Sequence, residues 1–155
     1  MAKSLYDLTT QEGVLELLQL DALSSRREVL AISVVLEEAR ELVRDAAVAK
    51  GIRIIVVGVT DEVFVSRAHV VLVVAALLHE AIAAAPQGGR VAVTGQEIER
   101  ELVFAVYDDG SRNVTYHVDE LAMESARALG GRVWSAHPAE GHLNLFSVPL
   151  YRDAN

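Results

Sequence analysis

Three short stretches carry residue types that do chemistry. Asp108-Asp109-Gly110 follows the apolar run Phe104 to Tyr107 and offers paired carboxylates beside a glycine. His79-Glu80 places an imidazole next to a carboxylate at the end of a long apolar segment, and His137 and His142 flank the turn residues Pro138 to Gly141. Each can be held against a known chemistry. A zincin helix needs a second histidine four residues after His79, and that position is Ala83. His137 and His142 could meet a metal across their turn, but histidines at turns mostly serve no metal. Asp108-x-Gly110 is either a plain strand-ending turn or a carboxylate beside a glycine that lets a flat ligand approach. No G-x-S-x-G or Walker sequence is present. Asn113-Val114-Thr115 matches a glycosylation sequon, which has no meaning in a cytoplasmic chain.

Composition narrows the field further. The chain has 155 residues, 52% of them apolar and 5% aromatic, enough for one domain with an aliphatic core. It has no cysteine, which excludes disulfides, thiolate metal sites and cysteine nucleophiles. Fourteen Lys and Arg against twenty-two Asp and Glu give a net charge of −8, which argues against a nucleic-acid partner. The same balance disfavours holding a triphosphate by charge alone. The longest uninterrupted apolar run, Val70 to Leu78, is far short of the roughly 20 residues that span a bilayer. The N-terminus lacks an apolar signal core, so a cytoplasmic protein without a membrane partner is expected.

The elements that must position these residues follow from periodicity. Val14, Leu15, Leu18 and Ala22 mark a helix over about 10–23. Val35, Ala39, Leu42 and Ala46 mark a longer one over about 30–50, stopped by Gly51. The β-branched run Ile52 to Val59 predicts a strand. Residues 66–85 read as a helix apolar nearly all round, hence buried, ended by Pro86 to Gly89. Strands are expected over 90–94 and 101–107, a helix capped by Asp119 over about 119–129, and a closing hairpin over 132–137 and 143–150. The expected fold class is α+β: a two-layer α/β sandwich, with a mixed sheet carrying helices on one face.

That order, with these loops, resembles the ATP-binding catalytic domain of sensor histidine kinases, the GHKL or Bergerat-fold family, over about residues 30–151. Val34 to Ala39 leading through Lys50-Gly51-Ile52 is similar to the family's opening helix and first core strand. Leu77 to Gly89 resembles the N-box helix and its "TPxGG" turn, and Phe104 to Gly110 the strand entering the G1 box. Gly130 to Trp134 and Leu145 to Leu150 resemble the closing hairpin. The resemblance implies a kinase-like domain over 29–155, preceded over 1–28 by a helical stub similar to the end of a dimerisation hairpin. An ordinary helix packed on its own domain fits those first residues equally.

The resemblance also implies site residues. Glu80 falls where the family has the asparagine that holds Mg²⁺, and Ala83 where it has a basic residue. Asp108 and Gly110 keep the G1 pattern, in which the aspartate accepts a hydrogen bond from the adenine amino group, but the next glycine is Arg112. The phosphate-cradling G2 glycines fall near Tyr116 and Val118, and the lid is reduced to a few residues. A degenerate domain is expected, a pseudokinase with no catalytic residues and no required cofactor. Glu80, Asp108 and Gly110 are its nucleotide-contacting candidates, for weak ATP or ADP binding with Mg²⁺ at Glu80. Its expected role is as a non-catalytic regulator or scaffold that binds a histidine kinase or response regulator. Alternatives are a minimal ATP-binding module, including the anti-sigma-factor kinase type, and a phosphotransfer protein using His79. The last is disfavoured because Pro86 lies seven residues beyond His79, where a kinase H-box has its proline at five. The Leu15–Leu23 stripe is a candidate homodimer surface.

Overall fold

A computed structural model of the chain describes residues 27–57, 61–110, 120–136 and 138–150. The helix expected over 10–23 with its Leu15–Leu23 stripe, the G2 positions near Tyr116 and Val118, Arg112, Asp119 and His137 lie outside the described residues. In chain order the elements are β1 (Arg27–Ala31), α1 (Ile32–Leu42), α2 (Arg44–Lys50), β2 (Arg53–Val57), β3 (Glu62–Ser66), α3 (Arg67–Ala84), β4 (Arg90–Ile98), β5 (Glu101–Asp108), α4 (Glu120–Ala128), β6 (Arg132–Ala136) and β7 (His142–Pro149). Five strands form one mixed sheet in the order β2-β4-β5-β7-β6. The β2–β4 pair is parallel and the other three pairs are antiparallel. A parallel pair needs a long crossover, and the chain between β2 and β4 supplies one through α3.

Strand alternation decides which side of the sheet is the core. Val91 and Val93 of β4, Leu102, Phe104 and Val106 of β5, and Phe146 and Val148 of β7 are all buried on one face. The aromatic rings of the cross-strand pair Phe104 and Phe146 stack with centroids 6.0 Å apart. Helix α3 lies against β4, β5 and β7 and between α1 and α4. Twelve of its eighteen residues are buried, on every side of the helix, as its all-round apolar sequence requires. By length and composition α3 alone among the described helices could cross a membrane, yet 67% of it is buried inside the fold. The expected two-layer sandwich with helices on one face of a mixed sheet is what forms.

Three local expectations change. The helix expected from about residue 30 starts at Ile32, because residues 27–31 pair with β3 as a separate antiparallel ribbon. Strand β1 therefore runs across the expected 28/29 domain boundary. The same helix breaks at Val43 (φ −106°, ψ 7°), and the two pieces each bring buried residues to the core: Val35, Leu36 and Ala39 from α1, Ala47 from α2. The strand expected over 90–94 extends to Ile98, so Gly95 lies inside β4. A Cβ there would come within 2.7 Å of the Phe104 ring and 2.9 Å of Ile32 Cγ2, so the glycine permits close packing of α1 on the sheet. The chain turns later, at Glu99 and Arg100, both with positive φ (48° and 66°), a tight hairpin turn between β4 and β5.

The C-terminal end of α3 is held by the end of α2. Ala85 leaves the helix in an extended conformation because it precedes Pro86. The freed carbonyls of Ile82 and Ala83 accept hydrogen bonds from Lys50 Nζ at 3.0 and 2.8 Å. Gly51, at φ 67°, caps α2, and Gly88 N–H donates to Lys50 O at 3.0 Å. Lys50→Met is expected to lower the unfolding free energy by about 1–3 kcal/mol in urea titrations. Arg44→Met, which removes only an exposed ion pair with Glu41, should change it by less than about 1 kcal/mol.

Candidate functional site

The residues singled out from sequence gather at one end of the sheet. Asp108 ends β5 on its core-facing side and is completely buried, whereas Asp109 points the other way, as strand alternation demands. Asp109 is structural. Its Oδ1 accepts from Arg90 N–H at 3.1 Å, and a Cβ on Gly89 would come within 2.8 Å of that same oxygen. The two adjacent carboxylates therefore do different work: one fastens the 86–89 turn and the other faces inward.

Asp108 makes an Asx turn, its Oδ1 accepting from Gly110 N–H at 2.9 Å. The same oxygen lies 2.8 Å from His142 Nδ1, and Asp108 and His142 are direct cross-strand partners between β5 and β7. Among the described residues Oδ2 has no hydrogen-bond partner, and it has no solvent contact. A buried carboxylate oxygen left without a donor costs about 1–3 kcal/mol or more, so this atom is the conspicuous unmet demand of the site. Gly110 is equally constrained: a Cβ would come within 2.4 Å of Ala84 O and 2.7 Å of Asp108 Oδ1. The glycine thus lets β5 press against the end of α3. Gly141 plays the same part beneath Asp108, since a Cβ would come within 2.2 Å of the Asp108 carbonyl.

Of the expected site residues, Asp108 and Gly110 are adjacent, and Glu80 lies one helical turn before the Ala84 carbonyl that Gly110 meets. His79 and Glu80 are half-buried on α3. Among the described residues no group of three or more His, Asp or Glu side chains could hold a metal ion. No such group includes Glu80, so a Mg²⁺ there would depend in part on phosphate oxygens. Asp108 Oδ2 is a buried acceptor without a donor among the described residues, beside a glycine where no side chain has room. Sequence reading missed two members. His142 was weighed only as a turn histidine, but the hairpin register puts it opposite Asp108, and only strand pairing reveals that. Lys50 supplies the cation at the end of α3, and no local pattern points to it.

No protein-family model matches the sequence, and no curated protein sequence matches it significantly. Its structure does have counterparts. Histidine kinase AdeS of Acinetobacter baumannii superposes with a TM-score of 0.69 at 14% identity, over 90% of this chain and 76% of that one. The catalytic domain of histidine kinase ThkA, in a nucleotide-free form, superposes with a TM-score of 0.68 at 16% identity, over 81% and 96%. The fold is that of a histidine kinase catalytic domain. Histidine kinase ThkA in complex with the response regulator protein TrrA gives a TM-score of 0.68 at 14% identity, over 93% of this chain and 48% of that one. The segments that resemble this kinase-type fold in sequence are joined in three dimensions. Lys50-Gly51-Ile52 meets the 86–89 turn through Gly88 N–H to Lys50 O and Arg53 N–H to Gly89 O, at 3.0 and 3.1 Å.

The geometry fixes the sign of two substitutions. Gly110→Ala is expected to destabilise the fold by about 1–3 kcal/mol, because backbone of α3 and not a flexible side chain blocks the new methyl. Asp108→Asn keeps an acceptor for Gly110 N–H but buries an amide NH₂ without an acceptor where Oδ2 sits, so it should cost about 1–3 kcal/mol. Urea unfolding of both variants checks the pair.

Proposed function

We propose that this chain is a degenerate histidine kinase-like domain of a cytoplasmic, two-component-type signalling system, one that binds adenine nucleotide and a protein partner but transfers no phosphoryl group. The observation that carries the reading is the buried, donorless Oδ2 of Asp108 beside Gly110. Oδ1 is already committed to Gly110 N–H and His142, so the carboxylate cannot rotate freely, and Oδ2 is the oxygen left for an exocyclic amino group. The bound nucleotide would itself bring the phosphate oxygens that a Mg²⁺ beside Glu80 requires.

Phosphoryl transfer needs cations and a preorganised cradle around the moving charge. Glu80 adds negative charge where a neutral ligand serves the family, and Ala83 offers no cation. Lys50, the cation at this end of α3, is held by the carbonyls of Ile82 and Ala83. Binding without turnover is the function this chemistry supports. A structural neighbour is a histidine kinase complexed with a response regulator, which supports a kinase or response regulator as the class of protein partner.

A second reading, a scaffold that binds no nucleotide at all, is favoured by the same carboxylate at Glu80 and the net charge of −8. Calorimetry separates the two. ADP and Mg-ATP should bind with dissociation constants on the order of 0.1–1 mM, and Asp108→Asn should weaken binding roughly tenfold or more, since the pinned amide presents NH₂ where an acceptor is required. No heat up to millimolar nucleotide leaves the scaffold. Transfer of the ATP γ-phosphoryl to His79 or to a partner would overturn both readings.

A further inference from the structure

Strand β2 is an edge of the sheet that nothing among the described residues covers. It pairs with β4 on one side and with no described strand on the other. Edge strands usually carry a charge, a proline or a bulge that discourages pairing. The run Arg53-Ile54-Ile55-Val56-Val57 has one charge, at its end, and neither proline nor glycine. Three of the most exposed large apolar residues lie on the two sides of this edge: Val48 at 71%, Ile55 at 40% and Val57 at 54%. A cleft of about 360 Å³ runs between α1–α2 and β2, floored by Ala47, Ile52 and Ile54 and rimmed by Arg40, Glu41 and Arg44.

We propose that this edge is a homodimer interface, in which β2 pairs antiparallel with β2 of a second copy to give a continuous ten-stranded sheet. Two features single out a second copy. The strand is compatible with itself: centred on Ile55, the antiparallel register sets Ile55 against Ile55, Ile54 against Val56 and Arg53 against Val57, with no like charges opposed. The helix stripe beside it is also self-complementary. Glu37, Arg40, Glu41 and Arg44 are all exposed, Glu37 pairs with Arg40 and Glu41 with Arg44, and Arg40, Glu41, Arg44 and Val48 line the same cleft as Ile54 of β2. A two-fold axis perpendicular to the sheet reverses that stripe, bringing Glu37 toward Arg44 and Arg40 toward Glu41 of the other copy. The five-residue edge is about 17 Å long, which places the contact at the small end of specific interfaces and its dissociation constant in roughly the micromolar range.

Sedimentation equilibrium of the full chain over about 1–300 µM should show reversible dimerisation. The double variant Ile55→Lys, Val57→Lys changes only exposed side chains and should weaken the dimer at least roughly tenfold, with circular dichroism reporting the fold. Charge exchange is the decisive arm. Arg40→Glu with Arg44→Glu should make the chain monomeric, and so should Glu37→Arg with Glu41→Arg, while an equimolar mixture of the two recovers a heterodimer. A wild-type chain that stays monomeric throughout overturns the proposal. So does a dimer that survives the edge lysines but is lost in Leu15→Lys, Leu18→Lys.

Discussion

An eighteen-residue helix that is apolar on every side has no face to give to water, and the rest of this molecule is arranged around that constraint. Helix α3 carries twelve buried residues, so it needs neighbours on all sides: the sheet below, α1 and α4 on its flanks. Burial of this much aliphatic surface is the largest favourable term available to a chain with so few aromatics. The price is paid at the helix ends, where backbone groups lose water and must find other partners. Lys50 answers that need at the C-terminus by donating to two of the last carbonyls.

The same helix end organises the candidate site. Ala84 O marks how closely β5 can approach, and Gly110 is the residue without a side chain that makes this approach possible. Asp108 is drawn below the surface by the same packing and keeps one oxygen satisfied by Gly110 and His142. A fold that closes tightly on α3 thus creates a buried acceptor as a by-product of its core. Its geometry is set by packing, through Gly110 against Ala84 O and Gly141 against the Asp108 carbonyl.

Surface features follow a separate logic. The open edge at β2 and the alternating charges of α1 contribute little to a monomer, since exposed ion pairs are worth less than about 1 kcal/mol. In the proposed self-pairing they would face a copy of themselves. Asp108 lies level with this edge, two strands in, through the Ile54–Val91 and Val91–Asp108 pairs, while Ile55 and Val57 alternate to the face of β2 opposite Ile54.

Much of the fold was legible in the residues alone. The apolar runs 66–85, 101–107 and 143–150 set their periods by local burial, and Gly51 and Pro86 ended their helices through conformational limits that need no context. The Asp108-x-Gly110 pair was visible as a candidate for the same reason. What the residues could not disclose depended on partners distant in sequence. Residues 30 and 31 read as the start of a helix until β3 pairs with 27–31. The strand expected over 90–94 stops short of Gly95 until Phe104 and Ile32 fill the space a side chain there would need. His142 looks like a loop residue until the β5–β7 register sets it against Asp108. Sequence by itself determined the buried helix, the strands of the main sheet and the Asp108-x-Gly110 pair, because period and backbone restriction are local. Tertiary structure decided which oxygen of that aspartate is left without a donor and which strand edge is left open, because pairing and close packing are relations between segments far apart in the chain.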